Sequence, residues 1–330
     1  MTGELFELPS LGEAVPWSGL AVLPARPEEF SFVLLSDRTG MARPGVFERA
    51  VAITNLLRPD FAIQIGDTIE GYTRDPGELD RQWKEFDELI DPLEVPLFRI
   101  PGNHDVSNDL MRQRWLDRHG ALHYHFRYRD VLFLVIDTQD PPQPLIEMLR
   151  PGDGASYELP AHVAEILADA DDVEDEELMA RLSQLLVDEP GSMSDIMKAV
   201  KDGAQPANIS DAQLDDLLAA VAQHSDVRWT VLLMHMPLWQ IAEHPAYTRL
   251  REALGSRPYT AFAGHTHNYR RSSVAGREHV RLGSTGGIRL TDSRDGNFDH
   301  LSWVTMTPTG PRVANVLTDG VLDADGTALT

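Results

Sequence analysis

Apolar positions fall into short, dense runs at residues 32–35, 61–65, 97–100, 229–233 and 259–263, and each run stops at a cluster of polar side chains. Runs of this length read as buried strands. Between the first two, Phe47, Val51, Thr54 and Leu57 keep helical spacing until Pro59 stops them. A second helix is predicted over 79–90. Residues 123–128 and 131–137 read as a hairpin turning at Arg129-Asp130. Residues 209–223 carry a Ser210/Gln213 cap ahead of an apolar stripe at Leu214, Leu217, Leu218 and Val221. Beyond residue 267, short alternating stretches at 280–282, 301–306 and 312–317 predict a closing antiparallel sheet. The alternation of strand and helix predicts an α/β fold.

Two regions break the rhythm. Residues 1–30, rich in Pro and Gly, read as an arm with one strand near 20–23. Between Asp140 and Asn208, punctuation at 141–144 and 151–154 opens an acidic, helix-like stretch through Leu185, and a second short helix is predicted over 193–200. A chain of 330 residues suffices for one large α/β domain with an insertion, or for two domains.

Net charge is −23, and residues 153–226 carry about 15 of those negative charges. Such a surface makes nucleic acid an unlikely partner, because nucleic-acid binding relies on Lys and Arg neutralising phosphates. It says little against a small phosphoester, since bound cations dominate the local potential. Cysteine is absent, which excludes disulfides and thiolate metal sites. No apolar run approaches the ~20 residues of a membrane span, and the first 16 residues hold Glu4, Glu7 and Glu13 with no basic residue. A cytoplasmic location, with no membrane partner, is the expectation.

The polar clusters at the strand ends are Ser36-Asp37-Arg38-Thr39, Gly66-Asp67-Thr68-Ile69-Glu70, Gly102-Asn103-His104-Asp105, Met234-His235-Met236-Pro237 and Gly264-His265-Thr266-His267. Loops at strand carboxyl ends converge on one crevice. Carboxylate, amide and imidazole donors gathered there suit two divalent ions. In order and spacing these segments resemble the calcineurin-like metallophosphoesterase family. The resemblance implies a four-layer α/β/β/α sandwich, with residues 141–208 as a helical acidic insertion in a domain spanning 31–330. It implies two divalent cations (Mn, Fe or Zn), with Asp67 bridging, Asn103, His235 and His265 on one, and Asp37 and His267 on the other. The implied activity is hydrolysis of a phosphomonoester or phosphodiester by a hydroxide held between the ions. By the same resemblance His104 would be the general acid. Asp105 or another carboxylate would hold its tautomer, and Arg38, between Asp37 and Thr39, is a candidate clamp for a phosphate oxygen, the competing reading being a surface arginine. Arg270 and Arg271 are further candidates for phosphate.

One position departs from the family. A His two places after Asp37 is expected, and Thr39 stands there. Purple acid phosphatases also lack that His and use a Tyr three places after the bridging Asp, where this chain has Glu70. Glu70 is therefore a candidate ligand, the competing reading being a helix-start carboxylate. Two alternatives stay open: a catalytically weak, phosphate-binding or regulatory protein with one functional metal site, and a protein-docking phosphatase that uses the acidic insertion. The plainest reading of the insertion is a solvated helical face.

Overall fold

The computed structural model describes residues 28–143, 161–168, 173–188, 207–241, 243–289, 295–325 and 327–329. Strands β1 (Phe30–Leu35), β2 (Phe61–Ile65) and β3 (Leu97–Ile100) run parallel. The antiparallel strands β10 (His300–Thr307) and β11 (Gly310–Leu317) extend this sheet beyond β1, in the order β11-β10-β1-β2-β3. The second sheet comprises β4 (Tyr124–Tyr128), β5 (Val131–Ile136), β6 (Trp229–Met234), β7 (Tyr259–Ala263), β8 (Arg270–Val274) and β9 (Arg277–Arg281), ordered β4-β5-β6-β7-β9-β8. Its inner strands β5, β6, β7 and β9 are parallel.

Alternation along the strands sorts the layers. Phe30, Phe32 and Leu34 of β1 meet Phe133, Val231 and Phe262 of the opposite sheet. Val33 and Leu35 instead pack with Phe47, Ile53 and Trp83 of α1 (Val46–Leu57) and α2 (Pro76–Ile90). On the other sheet, Leu132, Leu134 and Ile136 of β5 pack outward with Leu214, Leu217 and Leu250 of α7 (Asp211–Gln223) and α8 (Pro245–Leu254). The result is the helix/sheet/sheet/helix sandwich that the family resemblance implied. Strands covered on both faces have no polar side to alternate, which is why they read as unbroken apolar runs.

Three local differences have physical causes. Helix α2 begins at Pro76 because Asp75 accepts hydrogen bonds from the Gly77 and Glu78 amides, and proline suits the first helical position. Ser210 caps α7 as expected, but buried Gln213 does not fold back; it bonds both backbone groups of Asp137, at 2.9 and 3.0 Å. Helix α4 (Asp109–His119), which follows the short α3 (Asn103–Val106), buries only Met111 and Trp115, too sparse a stripe to announce itself.

Gln139 and Asn208 form a parallel bridge, so the two ends of the 141–208 segment lie side by side. Inside it are α5 (Ala161–Ala168) and α6 (Asp175–Asp188). Leu178 and Leu182 of α6 are buried in the core with Tyr72 and Met236, while Glu176 and Glu177 face solvent. The predicted arm, its strand and the helix at 193–200 lie outside the described residues, apart from the arm's last three. Among the described residues, no helix is long and apolar enough to cross a membrane.

Candidate metal centre

Asp37, Asp67, His235, and His265 with His267 leave the carboxyl ends of β1, β2, β6 and β7; Asn103 follows β3. Four of these residues, Asp37, Asp67, His265 and His267, have φ between +51° and +75°. Side-chain-bearing residues rarely adopt that conformation, and where several do so together they cluster at functional sites. The turns close because of two glycines: a Cβ on Gly102 would overlap Asp67, and one on Gly264 would overlap Asp37.

The side chains form two groups that share Asp67. Ligand atoms of Asp67, His235 and His265, and likewise of Asp37, Asp67 and His267, lie within 4.8 Å of one another. Asn103 joins the first group, its Oδ1 lying 2.9 Å from His265 Nδ1. His235 Nδ1 lies 2.9 Å from the Ile65 carbonyl, and His267 Nδ1 lies 2.7 Å from that of Ile288. A carbonyl acceptor places the proton on Nδ1 and leaves Nε2 with a lone pair. For His235 that Nε2 is buried without a hydrogen bond, 3.0 Å from Asp67 Oδ2; for His267 it is 3.4 Å from Asp37 Oδ1. Lone pairs facing carboxylate oxygens in a dry interior are stabilised by a cation between them. The donor chemistry therefore suits divalent metal.

A proton is the competitor for those positions. Burial would depress His235, yet the Asp67 and Asp37 carboxylates push it up to about 9. Burial likewise works against protonated His267, and Asp37 outweighs it. Burial would raise Asp67, but His235, His104 and His265 hold it well below the carboxylate range. His265, held at about 3 by burial and His235, stays neutral.

Other expected residues take different places. His104 Nδ1 lies 2.7 Å from the Glu70 carbonyl, its ring stands edge-on to Tyr72 at 4.8 Å, and its amide donates to Asp67 Oδ1 at 3.1 Å. Asp105 does not hold that tautomer. Its carboxylate accepts from the amides of Thr68, Ile69 and Gly102 and so ties two of the loops together. Burial and the Asp67 charge raise it to about 7 against those donors. The Glu70 carboxylate joins neither group: the amides of Met41 and Ala42 donate to it at 3.1 and 2.8 Å, beside the Thr39 hydroxyl. Burial opposes its ionisation, and His104 with these donors outweighs burial. Buried Arg38 turns away to the Thr68 carbonyl and to Glu85 on α2 rather than toward the donors. Arg271 pairs with Glu278 on the edge hairpin, and Arg270 is exposed there.

Two contributors were missed. Tyr72, 4% exposed, accepts from Asn103 Nδ2 at 2.9 Å, which aims the amide oxygen at His265. The small residues 283–287 after β9 form a sixth loop, whose Thr285 and Gly287 amides donate to the Ser36 and Asp37 carbonyls. Its Gly-Ser-Thr-Gly-Gly run, directly after the short stretch at 280–282, was the available signal.

The family model for calcineurin-like phosphoesterases matches residues 30–269. No curated protein sequence matches the chain. Similar solved structures include a dimetal phosphatase from Danio rerio, at 16% identity over 87% of this chain and 98% of that one, with a TM-score of 0.49. Another is GAP50, the anchor in the inner membrane complex of Plasmodium, at 13% over 92% and 87%, with a TM-score of 0.50. A third is a purple acid phosphatase from yellow lupin seeds, at 14% over 91% and 52%, with a TM-score of 0.49. At such identities the likeness concerns the fold alone.

Proposed function

The chain belongs to the calcineurin-like phosphoesterase family and is a phosphoric ester hydrolase; from that premise we propose that it cleaves a small phosphomonoester or phosphodiester at a dinuclear centre, with His104 as general acid. Asn103, His235 and His265 would hold one cation, Asp37 and His267 would hold the other, and Asp67 would serve both; Mn, Fe and Zn all accept these donors. When bound, such cations supply Lewis-acid charge to the phosphoryl oxygens and acidify the attacking water. The observation that carries the reading is the pair of donor groups hinged on Asp67, each with an imidazole Nε2 facing a carboxylate.

His104 does its work with the other ring nitrogen. Nδ1–H is committed to the Glu70 carbonyl and the ring is braced by Tyr72, so the acid is the imidazolium: its Nε2–H gives the proton to the departing alkoxide and leaves a neutral ring that keeps its proton on Nδ1. Glu70 enters through that carbonyl, and through a carboxylate that pins residues 41–42, rather than as a ligand. Thr39 leaves the Asp37 group with fewer protein donors than its neighbour, so it is the weaker of the two.

Assays with an aryl phosphate and an aryl phosphodiester, with Mn added, test the reading. Turnover that a chelator abolishes is expected, and inertness toward both esters with several metals would refute it. His104→Ala should retain its metals and lose about 10²–10⁴-fold on an alkyl ester, with a smaller loss on an ester whose leaving group needs little protonation. Equal losses would remove the acid role.

A further inference from the structure

About 16 Å from the start of α4, taking 1.5 Å per residue along its 11 residues, a cavity of about 400 Å³ opens under the far end of that helix. It lies between β3 and β4, the edge strands of the two sheets. Its wall is not satisfied from within: Arg99 Nε, Trp115 Nε1 and His119 Nε2 are buried with no hydrogen-bond partner. Buried donors in folded proteins normally find an acceptor, and each exception calls for an explanation. The Tyr124 hydroxyl donates to the Arg99 carbonyl at 2.9 Å, but no hydrogen bond or ion pair of the Arg99 guanidinium is found among the described residues, and the Asp87 carboxylate that acts on it is bonded to Arg118 at 2.6 Å.

The surroundings define what would fit. His119 is wedged between Trp83 and Trp115, with both ring centroids 5.0 Å away. Burial, with Arg99 and Arg118, holds it at about 4, so the positive charge here comes from the two guanidiniums. Asp87 offsets the charge of Arg118, so one guanidinium's charge is left over; the negative end of the α4 dipole opposes an anion, but amounts to half a charge against it. Guanidinium N–H groups select an oxyanion. The rings of Phe98 and Tyr124, and a volume well beyond that of a bare oxyanion, select an apolar body attached to it. We propose that this cavity is a second binding site, separate from the metal centre, for a small ligand that joins a carboxylate or phosphoryl oxyanion to an aromatic or aliphatic body.

Equilibrium dialysis and tryptophan fluorescence of the metal-loaded protein test this, with benzoate, phenylphosphonate and inorganic phosphate as probes. Benzoate and phenylphosphonate should saturate the site, and inorganic phosphate should bind there more weakly. Arg99→Gln should weaken that binding about tenfold or more, with unchanged hydrolysis and thermal midpoint, whereas Asp67→Asn should leave it intact while disrupting the metal centre. Ala121→Trp, at an exposed wall position, should block it too, so the result does not depend on how Arg99→Gln folds. Absence of saturable binding by both apolar probes overturns the proposal, as does binding that Asp67→Asn abolishes and both cavity variants retain. Inorganic phosphate binding as tightly as phenylphosphonate would overturn the requirement for an apolar body.

Discussion

Tyr72 shows how much of the centre rests on side chains that carry no metal-binding signature. Its hydroxyl holds the Asn103 amide and its ring braces His104. Tyr72→Phe keeps the ring and loses the hydroxyl. Outer-shell changes of this kind typically cost about 10–100-fold in metal affinity, so one of the two ions should be held that much more weakly in a metal titration. Two equally tight ions in the variant would mean that Asn103 is oriented without help. Glu70→Gln, in turn, should retain two ions per chain by elemental analysis, because its carboxylate is spent on the amides of residues 41–42. Loss of one ion would restore Glu70 as a ligand. The Asp, Asn and His positions were legible because few structural needs put those side chains after apolar strands. Tyr72 has no such spacing. Arg38 misled because the carboxylate that captures it, Glu85, comes 47 residues later on another element.

At the scale of elements, legibility followed burial. Strands covered on both faces could be read directly, while α4, with two buried apolar side chains, could not. Both described helices of the 141–208 segment pack on the core, α5 through partly buried Ile166 and Leu167 and α6 through buried Leu178 and Leu182. Leu178→Ala should cost about 2–5 kcal/mol in denaturant unfolding, and a neutral result would detach α6 from the core. Helix α4 carries a pH dependence. His119 titrates near its ordinary value of 6.5 when unfolded and at about 4 when folded, so the unfolded chain binds more protons between those values. Stability from this group is complete above about pH 6.5, falls as pH drops toward 4, and changes no further below. The thermal midpoint should decline across that window, and His119→Phe should flatten the decline. His300, buried and also held at about 4, works in the same direction and leaves a residual slope.

For the whole molecule, net charge governs approach. At −23 the chain repels an anionic ester, and the repulsion is screened as the Debye length shrinks to about 10 Å at 0.1 M salt. We expect kcat/KM for a dianionic monoester to rise with ionic strength more steeply than for a monoanionic diester. A fall with salt would mean that the positive field of the loaded centre outweighs the rest of the surface at encounter distance. The layered architecture was legible at this scale through strand order and family resemblance. The cavity beside Arg99 was not, since its walls come from a strand start, a helix end and a second sheet that meet only in space.

The bridge between Gln139 and Asn208 has an evolutionary consequence. A segment entering and leaving through one doorway can grow or shrink without disturbing the sheets, because each doubling of loop length costs only about 0.6 kcal/mol. The freedom is bounded by the apolar side chains the segment lends to the core, Leu178 and Leu182 foremost, in the cluster that also holds Tyr72. A descendant can exchange the solvent-facing positions of α6, yet must keep apolar side chains in the cluster that holds the residue steadying the chemistry.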